Sequence, residues 1–209
     1  MIKIKLLVAT TNKGKLREIK AALAGLPLEV LSLTKAGVQG KAIEKGKTFA
    51  ANARAKSIFY SRFTPYLTLA EDSGLEVDVL GGAPGVLSAR FAGPKANDEQ
   101  NINKVLGLLK RTPPAKRRAR FVCHLCLAQR GRLIKCFRGE VRGWITKAPK
   151  GKEGFGYDPI FFYRPFGRTF GEIPAAKKNQ VSHRGRALRR MRAFLEEFLA
   201  TAPEKAAVP

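Results

Sequence analysis

The N-terminal stretch constrains the fold most. Residues 2 to 9, Ile-Lys-Ile-Lys-Leu-Leu-Val-Ala, alternate apolar and charged side chains and then turn fully apolar, as a buried strand would. Polar Thr10-Thr11-Asn12-Lys13-Gly14 follows at once and reads as a turn. Leu16, Ile19, Leu23 and Leu26 then recur at helical spacing. A helix is therefore expected from about Lys15 to Ala24, ended by Gly25 and Pro27. The chain thus opens as strand, short polar turn and helix.

The alternation continues. Leu28 to Leu33 reads as a second strand, and the polar, Gly-rich residues 35 to 47 read as a loop. Thr48 can cap a helix over Phe49 to Tyr60. Tyr66 to Ala70 is a short strand leading into Glu71-Asp72-Ser73-Gly74, read as an acidic turn. Leu75 to Leu80 is another strand, closed by Gly81-Gly82-Ala83-Pro84-Gly85. A helix is expected over Asn97 to Leu109, with Asp98 and Glu99 in its first turn and Thr112-Pro113-Pro114 as its breaker. Arg118 to Gln129 and Arg132 to Val141 form two strands around Arg130-Gly131, a hairpin signal. Gly- and Pro-rich residues 148 to 159 lead into a short apolar run, Pro159 to Tyr163. Ser182 opens a C-terminal helix with Leu188, Met191, Leu195 and Phe198 at helical spacing. Residues 201 to 209 have no periodicity and are expected to form a loose tail. This mixture predicts an α/β or mixed α+β domain around a mixed sheet. With 209 residues and 44% hydrophobic content, the chain can bury the core of one domain, or of one domain with two lobes.

Charge narrows the partners. Forty Lys and Arg against sixteen Asp and Glu give a formal net charge of +24 and a pI near 10.5. Such a chain attracts anions: nucleotides, nucleic acid or acidic membranes. The basic residues are spread along the sequence, which favours a general surface property. No apolar run is long enough to span a bilayer, and the N-terminal apolar run is too short for a secretory signal. The expectation is a cytoplasmic protein without membrane contact. Three cysteines, Cys123, Cys126 and Cys136, argue against a disulfide scaffold and for a reducing compartment. Cys123-His124-Leu125-Cys126 reads as C-x-x-C, yet no second Cys or His pair lies nearby to complete a zinc site, and His183 is the only other histidine. The cysteines are expected as small hydrophobes in a buried strand.

Four segments could carry chemistry. Thr10 to Lys15 enters a helix N-terminus, whose N–H groups and dipole suit phosphate, with Lys13 and Lys15 adding charge. It is not a Walker A loop, having one glycine and no Ser or Thr after Gly14-Lys15, and taken alone it reads better as an ordinary strand–helix turn with solvated lysines. In Glu71-Asp72-Ser73-Gly74, adjacent acids between apolar strands could hold Mg²⁺ or activate water, and Ser73 and Gly74 would let a phosphate come close. A tight turn with exposed acids is the other reading. Gly154-Phe155-Gly156-Tyr157-Asp158 offers two aromatics to stack on a base and a carboxylate to bond it, or simply packing under a loop. Lys177 to Gly185 includes Ser182 as a helix cap with His183 and Arg184 in the first turn, where cations are disfavoured unless they face an anion or a base carbonyl.

In this order the four segments resemble the inosine triphosphate pyrophosphatase family of non-canonical purine nucleoside triphosphate pyrophosphatases. The likeness runs over roughly residues 4 to 200. It includes Thr11-Asn12-Lys13-Gly14-Lys15 with Glu18, Thr48-Phe49 with Asn52-Ala53 and Lys56, and Asp72-Ser73-Gly74-Leu75-Glu76-Val77. It continues through Leu80 to Gly85, Ser88 to Gly93, Gly154 to Phe161 and Ser182-His183-Arg184-Gly185. The resemblance implies an elongated mixed sheet flanked by helices, forming a single domain over residues 1–200 with two lobes and a central cleft. It implies Mg²⁺-dependent conversion of ITP, dITP or XTP to the monophosphate and pyrophosphate, and a homodimer.

Carried over by position, the resemblance makes Asp72 the catalytic base and a metal ligand, with Glu44 and Glu71 as further metal ligands. Thr10, Thr11, Asn12, Lys13, Gly14 and Lys15 would wrap the triphosphate. Ser73, Phe155, Gly156, Tyr157, Asp158, Lys178, His183 and Arg184 would contact substrate. Glu71 stands where the family pattern often has Asp, and Ile43, before Glu44, stands where it is often acidic. Two other classes compete. A nucleic-acid-binding protein would account for the +24 charge, but no homeodomain, zinc-finger or RNA-recognition signature is present, so specific nucleic-acid binding is not expected. A nucleotide-binding regulator without catalysis would have no use for the retained acids.

Overall fold

Parallel pairing frames the N-terminal part of the fold. In the computed structural model, which describes residues 3–40 and 42–201, β1 (Ile4–Ala9) lies between β2 (Leu28–Ser32) and β3 (Leu67–Val77) and runs parallel to both. Leu6 stands beside Val30 on one side and Leu67 on the other. Leu6, Leu7 and Val8 are all buried, which explains the unbroken apolar run. Parallel neighbours need crossovers. Helix α1 (Lys13–Ala22) joins β1 to β2, and α2 (Phe49–Tyr60) precedes β3. Asn12 Oδ1 caps α1 by accepting the N–H of Lys15 at 2.9 Å, and Thr48 Oγ1 caps α2 through Ala51 at 3.1 Å.

The remaining strands are β4 (Arg118–Gln129), β5 (Arg132–Ile145), β6 (Phe161–Tyr163) and β7 (Arg168–Thr169). They complete a seven-stranded sheet of order β2-β1-β3-β4-β5-β6-β7, in which β5, β6 and β7 pair antiparallel. The expected mixed α/β sheet is thus present. Helices α3 (Asp98–Leu108), α4 (Ala175–Val181) and α5 (His183–Ala200) complete the secondary structure, with an Asn97–Gln100 capping box opening α3.

The chain divides into two compact units. The first gathers the chain up to Asp72, His124–Arg138 and the chain from Gly185 onward. The second gathers Ser73–Cys123 and Gly139–Arg184. In the first, Leu7, Ala9, Ala42, Tyr60 and Ala70 form a core cluster. Arg192 of α5 donates to the carbonyls of Ala22 and Ala24 at 3.0 and 2.8 Å, satisfying acceptors that the end of α1 leaves open. In the second, Leu75, Val105, Phe121, Phe161 and Phe170 belong to one aromatic-rich core, with the Phe121 and Phe161 rings 4.5 Å apart. Arg117 is buried there, with its guanidinium spent on the carbonyls of Leu109, Thr112 and Thr146 at 2.7, 3.0 and 2.9 Å.

Several sequence expectations are corrected. Glu71-Asp72-Ser73-Gly74 is not a turn between two strands but the middle of β3, because both acids are buried and partnered. The close approach that Gly74 permits is made by Ser88, whose Oγ accepts the N–H of Leu75 at 2.9 Å and fills the space a Cβ would need. Helix α1 starts at Lys13, earlier than expected, since Asn12 is its cap. Strand β5 runs past Val141 to Ile145, and Gly143 within it makes room for Phe161 and the Phe162 carbonyl. Residues 175–181 form α4, a helix without an apolar period, and Ser182 closes it by donating its N–H to the Lys178 carbonyl at 2.8 Å. Cys126 and Cys136 are not separate thiols. The hairpin brings their Cα atoms to 4.1 Å and they form a disulfide, while Cys123 is buried outside it. Of the expected loose tail, residues 202–209 lie outside the described residues.

Candidate active site

In the first unit, the acidic middle of β3 meets two helices. Glu71, with its side chain 1% exposed, pairs with Lys15 of α1 at 3.3 Å. Asp72 instead accepts a hydrogen bond from Asn52 Nδ2 of α2 at 3.0 Å. Different partners for consecutive residues are what strand alternation produces. Asn52 also fixes the loop before α2, because its Oδ1 accepts the N–H of Gly46 at 2.8 Å. A Cβ at Gly46 would collide with that amide, so the loop is held close. The same loop carries Glu44, whose Oε1 lies 2.9 Å from Lys56 Nζ. Lys56 sits one turn beyond Asn52 on the same face of α2 and also donates to the Glu71 carbonyl at 3.1 Å.

These neighbours set the proton affinity of Asp72. Burial raises its pKa above the usual carboxylate value. Lys56, the Asn52 hydrogen bond and Lys15 pull it down without cancelling the rise, and Glu44 pushes it further up. The result is a carboxylate more basic than a solvated one. Beside it, Thr10 Oγ1 accepts the N–H of Asn12 at 3.2 Å, and Thr11, Asn12 and Lys13 are exposed at the α1 N-terminus. By construction, a first helical turn holds N–H groups that lack an intrahelical acceptor, Lys13 and Gly14 among them here.

A divalent metal fits this chemistry. Glu44 and Asp72 are hard oxygen donors, close enough for the charge of one to raise the proton affinity of the other. Mg²⁺ uses one or two carboxylates and completes its shell with phosphate oxygens and water. Accordingly, no cluster of three His, Cys, Asp or Glu side chains is needed, and none occurs among the described residues.

In the second unit, Asp158 organises the loop that the sequence marks as Gly-Phe-Gly-Tyr-Asp. Its Oδ2 accepts the N–H of Phe155 at 2.9 Å and pairs with Lys178 Nζ at 2.6 Å, with both side chains nearly inaccessible. Gly154 has φ +78°, and a Cβ there would strike the Asp158 carboxylate. Two cations lie against the Phe155 ring, with Lys178 Nζ 4.7 Å and the Arg184 guanidinium 5.3 Å from its centroid. Arg184 Nη2 donates to Ser73 Oγ at 3.2 Å. Gly156 donates its N–H to Asp98 at 2.7 Å. Tyr157 is buried and its hydroxyl donates to the Ser88 carbonyl at 2.8 Å. Burial, with Asp98 nearby, raises its pKa. His183 stacks on Phe121 at 4.7 Å.

The structure therefore groups Lys15, Glu44, Glu71 and Asp72 in one unit, and Ser73, Phe155, Asp158, Lys178 and Arg184 in the other. Sequence reasoning gave no role to Asn52, Lys56, Ser88 or Asp98. The first two were visible as an i, i+4 pair on α2. The last two act through contacts 69 and 58 residues distant in sequence, and no local signal marks them.

Comparison with known proteins places these features in context. The sequence model of the Ham1 family matches residues 6–194. The dITP/XTP pyrophosphatase of Geobacter sulfurreducens is 48% identical over 184 residues, 88% of this chain and 92% of that protein. The dITP/XTP pyrophosphatase of Listeria innocua is 43% identical over 201 residues, 96% and 99% of the two chains. Among solved structures, a HAM1 protein from Coxiella burnetii matches with a TM-score of 0.85 at 36% identity, covering 93% of this chain and 99% of that one.

Proposed function

The chain belongs to the Ham1 family, and from that membership we propose that it hydrolyses non-canonical purine nucleoside triphosphates, ITP, dITP and XTP, to the monophosphate and pyrophosphate. The observation that carries the reading is Asp72, a buried carboxylate of raised basicity held by Asn52 and flanked by Lys15 and Lys56.

Asp72 orients a water molecule and takes its proton. The water oxygen bonds to the α-phosphorus, the bridge to the β-phosphate breaks, and the electron pair leaves with pyrophosphate. The N-terminus of α1, from Thr10 to Lys15, holds the phosphates, and Lys13 and Lys15 offset the growing charge on the leaving group. Glu44 and Asp72 would hold Mg²⁺, with Glu71 beside them, and the bound metal would neutralise phosphate charge.

Base selection falls to the second unit. Inosine and xanthine carry a carbonyl at position six, where adenine carries an amino group. Arg184 and His183 are donors suited to that carbonyl, Phe155 offers a stacking face, and Ser73, Gly156, Tyr157, Asp158 and Lys178 complete the assigned set. A donor facing an amino group loses its bond, which discriminates strongly. We also assign the enzyme to the cytoplasm, as a homodimer. No helix among the described residues is long and apolar enough to cross a membrane.

The test is pyrophosphate release from a nucleotide panel with and without Mg²⁺. Metal-dependent release from ITP, dITP and XTP, with ATP far slower, is the expected result. Equal turnover of ATP would remove the base selectivity, and release of single phosphates would remove the reaction itself.

A further inference from the structure

Catalysis uses one end of the first unit's parallel strands and leaves most of the +24 charge unexplained. At the opposite end, where β1 and β3 begin, a groove of about 480 Å³ is lined by Ser61, Arg62, Phe63, Thr64, Pro65 and Arg130. Leu67 and Asp72 are five residue steps apart along β3, roughly 17 Å of strand. The groove walls are tied together. The N–H of Gly131 donates to Ser61 Oγ at 3.0 Å, and Gln129 Nε2 donates to the Pro65 carbonyl at 2.9 Å. Arg62 lies against the hairpin turn, since a Cβ on Gly131 would come within 3.2 Å of its Cγ.

The groove is cationic and aromatic at once. Arg62 and Arg130 are exposed, and neither forms an ion pair among the described residues. Phe63 is 55% exposed while its inner side rests on Phe59, the rings 5.1 Å apart. Along the same edge, Lys5 sits 5.2 Å from the ring centroid of Tyr66. Arg130 has φ +49°, the only non-glycine residue with positive φ among those described. A two-residue hairpin demands that conformation, and Asn, Asp or Gly adopts it more readily than Arg. A guanidinium is therefore presented at the turn against local preference.

Cations flanking an exposed ring match a strand of phosphates with unpaired bases. A duplex would offer phosphates, but its stacked bases could not reach Phe63. We infer that the Arg62–Phe63–Arg130 groove binds single-stranded nucleic acid, with the guanidiniums on phosphates and a base on the Phe63 ring.

The experiment measures anisotropy of a labelled oligothymidylate of about 20 nucleotides with the full chain across a salt series. Two variants are used, Phe63→Ser and the double change Arg62→Gln with Arg130→Gly. Glycine suits the positive φ, so the hairpin is retained, and the Tm of each variant checks the fold. The double variant should bind about tenfold more weakly, with a log–log salt slope shallower by about 1.4, the value for two lost phosphate contacts. Phe63→Ser should weaken binding about tenfold with the slope unchanged. Wild-type affinity and slope in both variants would overturn the inference and spread the charge over the whole surface. A duplex binding as tightly, or polyglutamate displacing the oligonucleotide as well as unlabelled oligothymidylate does, would overturn it too, because neither uses an unpaired base.

Discussion

Each unit sets a lysine against a carboxylate, and the two arrangements differ in burial. In the second unit Lys178 and Asp158 are 2.6 Å apart and only 2% and 3% exposed. In the first, Lys56 and Glu44 are 2.9 Å apart with 13% and 32% of their side chains exposed, and Lys15 keeps 18% beside a buried Glu71. The sealed pair is shut off from water, and its carboxylate also fixes the Phe155 backbone. The open set brings the partly exposed Glu44 and Lys56 beside the buried Glu71 and Asp72. Burial therefore divides the labour. Ions shut from water, Asp158 and Lys178, hold a loop in one shape, whereas Lys15, Lys56 and Glu44 keep contact with water and can change partners during a reaction.

The comparison breaks most readily at Asp72. Asp72→Asn should lower kcat about a thousandfold, the loss expected when a positioned base is removed. The variant should also be more stable than the parent at neutral pH. Burial places the folded pKa of Asp72 above its unfolded value, so the folded state holds the proton more tightly. Parent stability therefore falls as pH rises through the folded pKa. Asparagine carries no such burden and can still accept from Asn52. Its advantage should be absent below the ordinary carboxylate range and grow as pH rises above it, as read by metal-free thermal unfolding across pH. A variant with parental turnover, or one less stable at pH 7, would mean that the open set is structural like the sealed one.

The sealed pair should show the reverse balance. Asp158→Asn leaves the Lys178 ammonium buried without its carboxylate, a loss of about 3 kcal/mol by urea unfolding. Lys178→Met made together with it should recover part of that loss, because the unpaired charge goes too. Stability equal to the parent in Asp158→Asn would show that the pair is not the frame of the Phe155 loop.

What could be read from sequence follows the same division. The cap at Thr48, the helix start around Asp98 and Glu99, and the Arg130-Gly131 hairpin were legible because each is decided by residues within a few positions. Glu71-Asp72 was misread as a turn because two acids look solvated until Lys15, Asn52 and Lys56 are brought to them from other elements. Helix α4 was missed because Ala-Ala-Lys-Lys-Asn-Gln-Val shows no apolar period. The Cys126–Cys136 disulfide depends on hairpin register, which spacing alone does not fix. Among site residues, the acids and lysines were legible as types. The sealing of Asp158 and Lys178 was not, since burial belongs to the assembled fold.

Smaller effects sharpen the open set. Glu44→Gln should raise the Mg²⁺ concentration needed for half-maximal activity about tenfold while leaving the fold unchanged, the size of effect typical of losing a supporting group at a metal site. An unchanged requirement would free Glu44 from the metal.

The finest test follows the Asp72 carboxyl by NMR titration in metal-free protein. Lys56 lowers the Asp72 pKa most, so Lys56→Met should move the titration to higher pH. Asn52→Ala should move it in the same direction by less, because a hydrogen bond to the charged form is lost while the ammonium remains. Glu44→Gln should move it to lower pH, since a neighbouring negative charge is gone. These three signs test the open set as one electrostatic unit centred on Asp72. If Lys56→Met left the titration in place, the lysine would be serving Glu44 and the Glu71 carbonyl alone, and the set would divide into separate pairs resembling the sealed one.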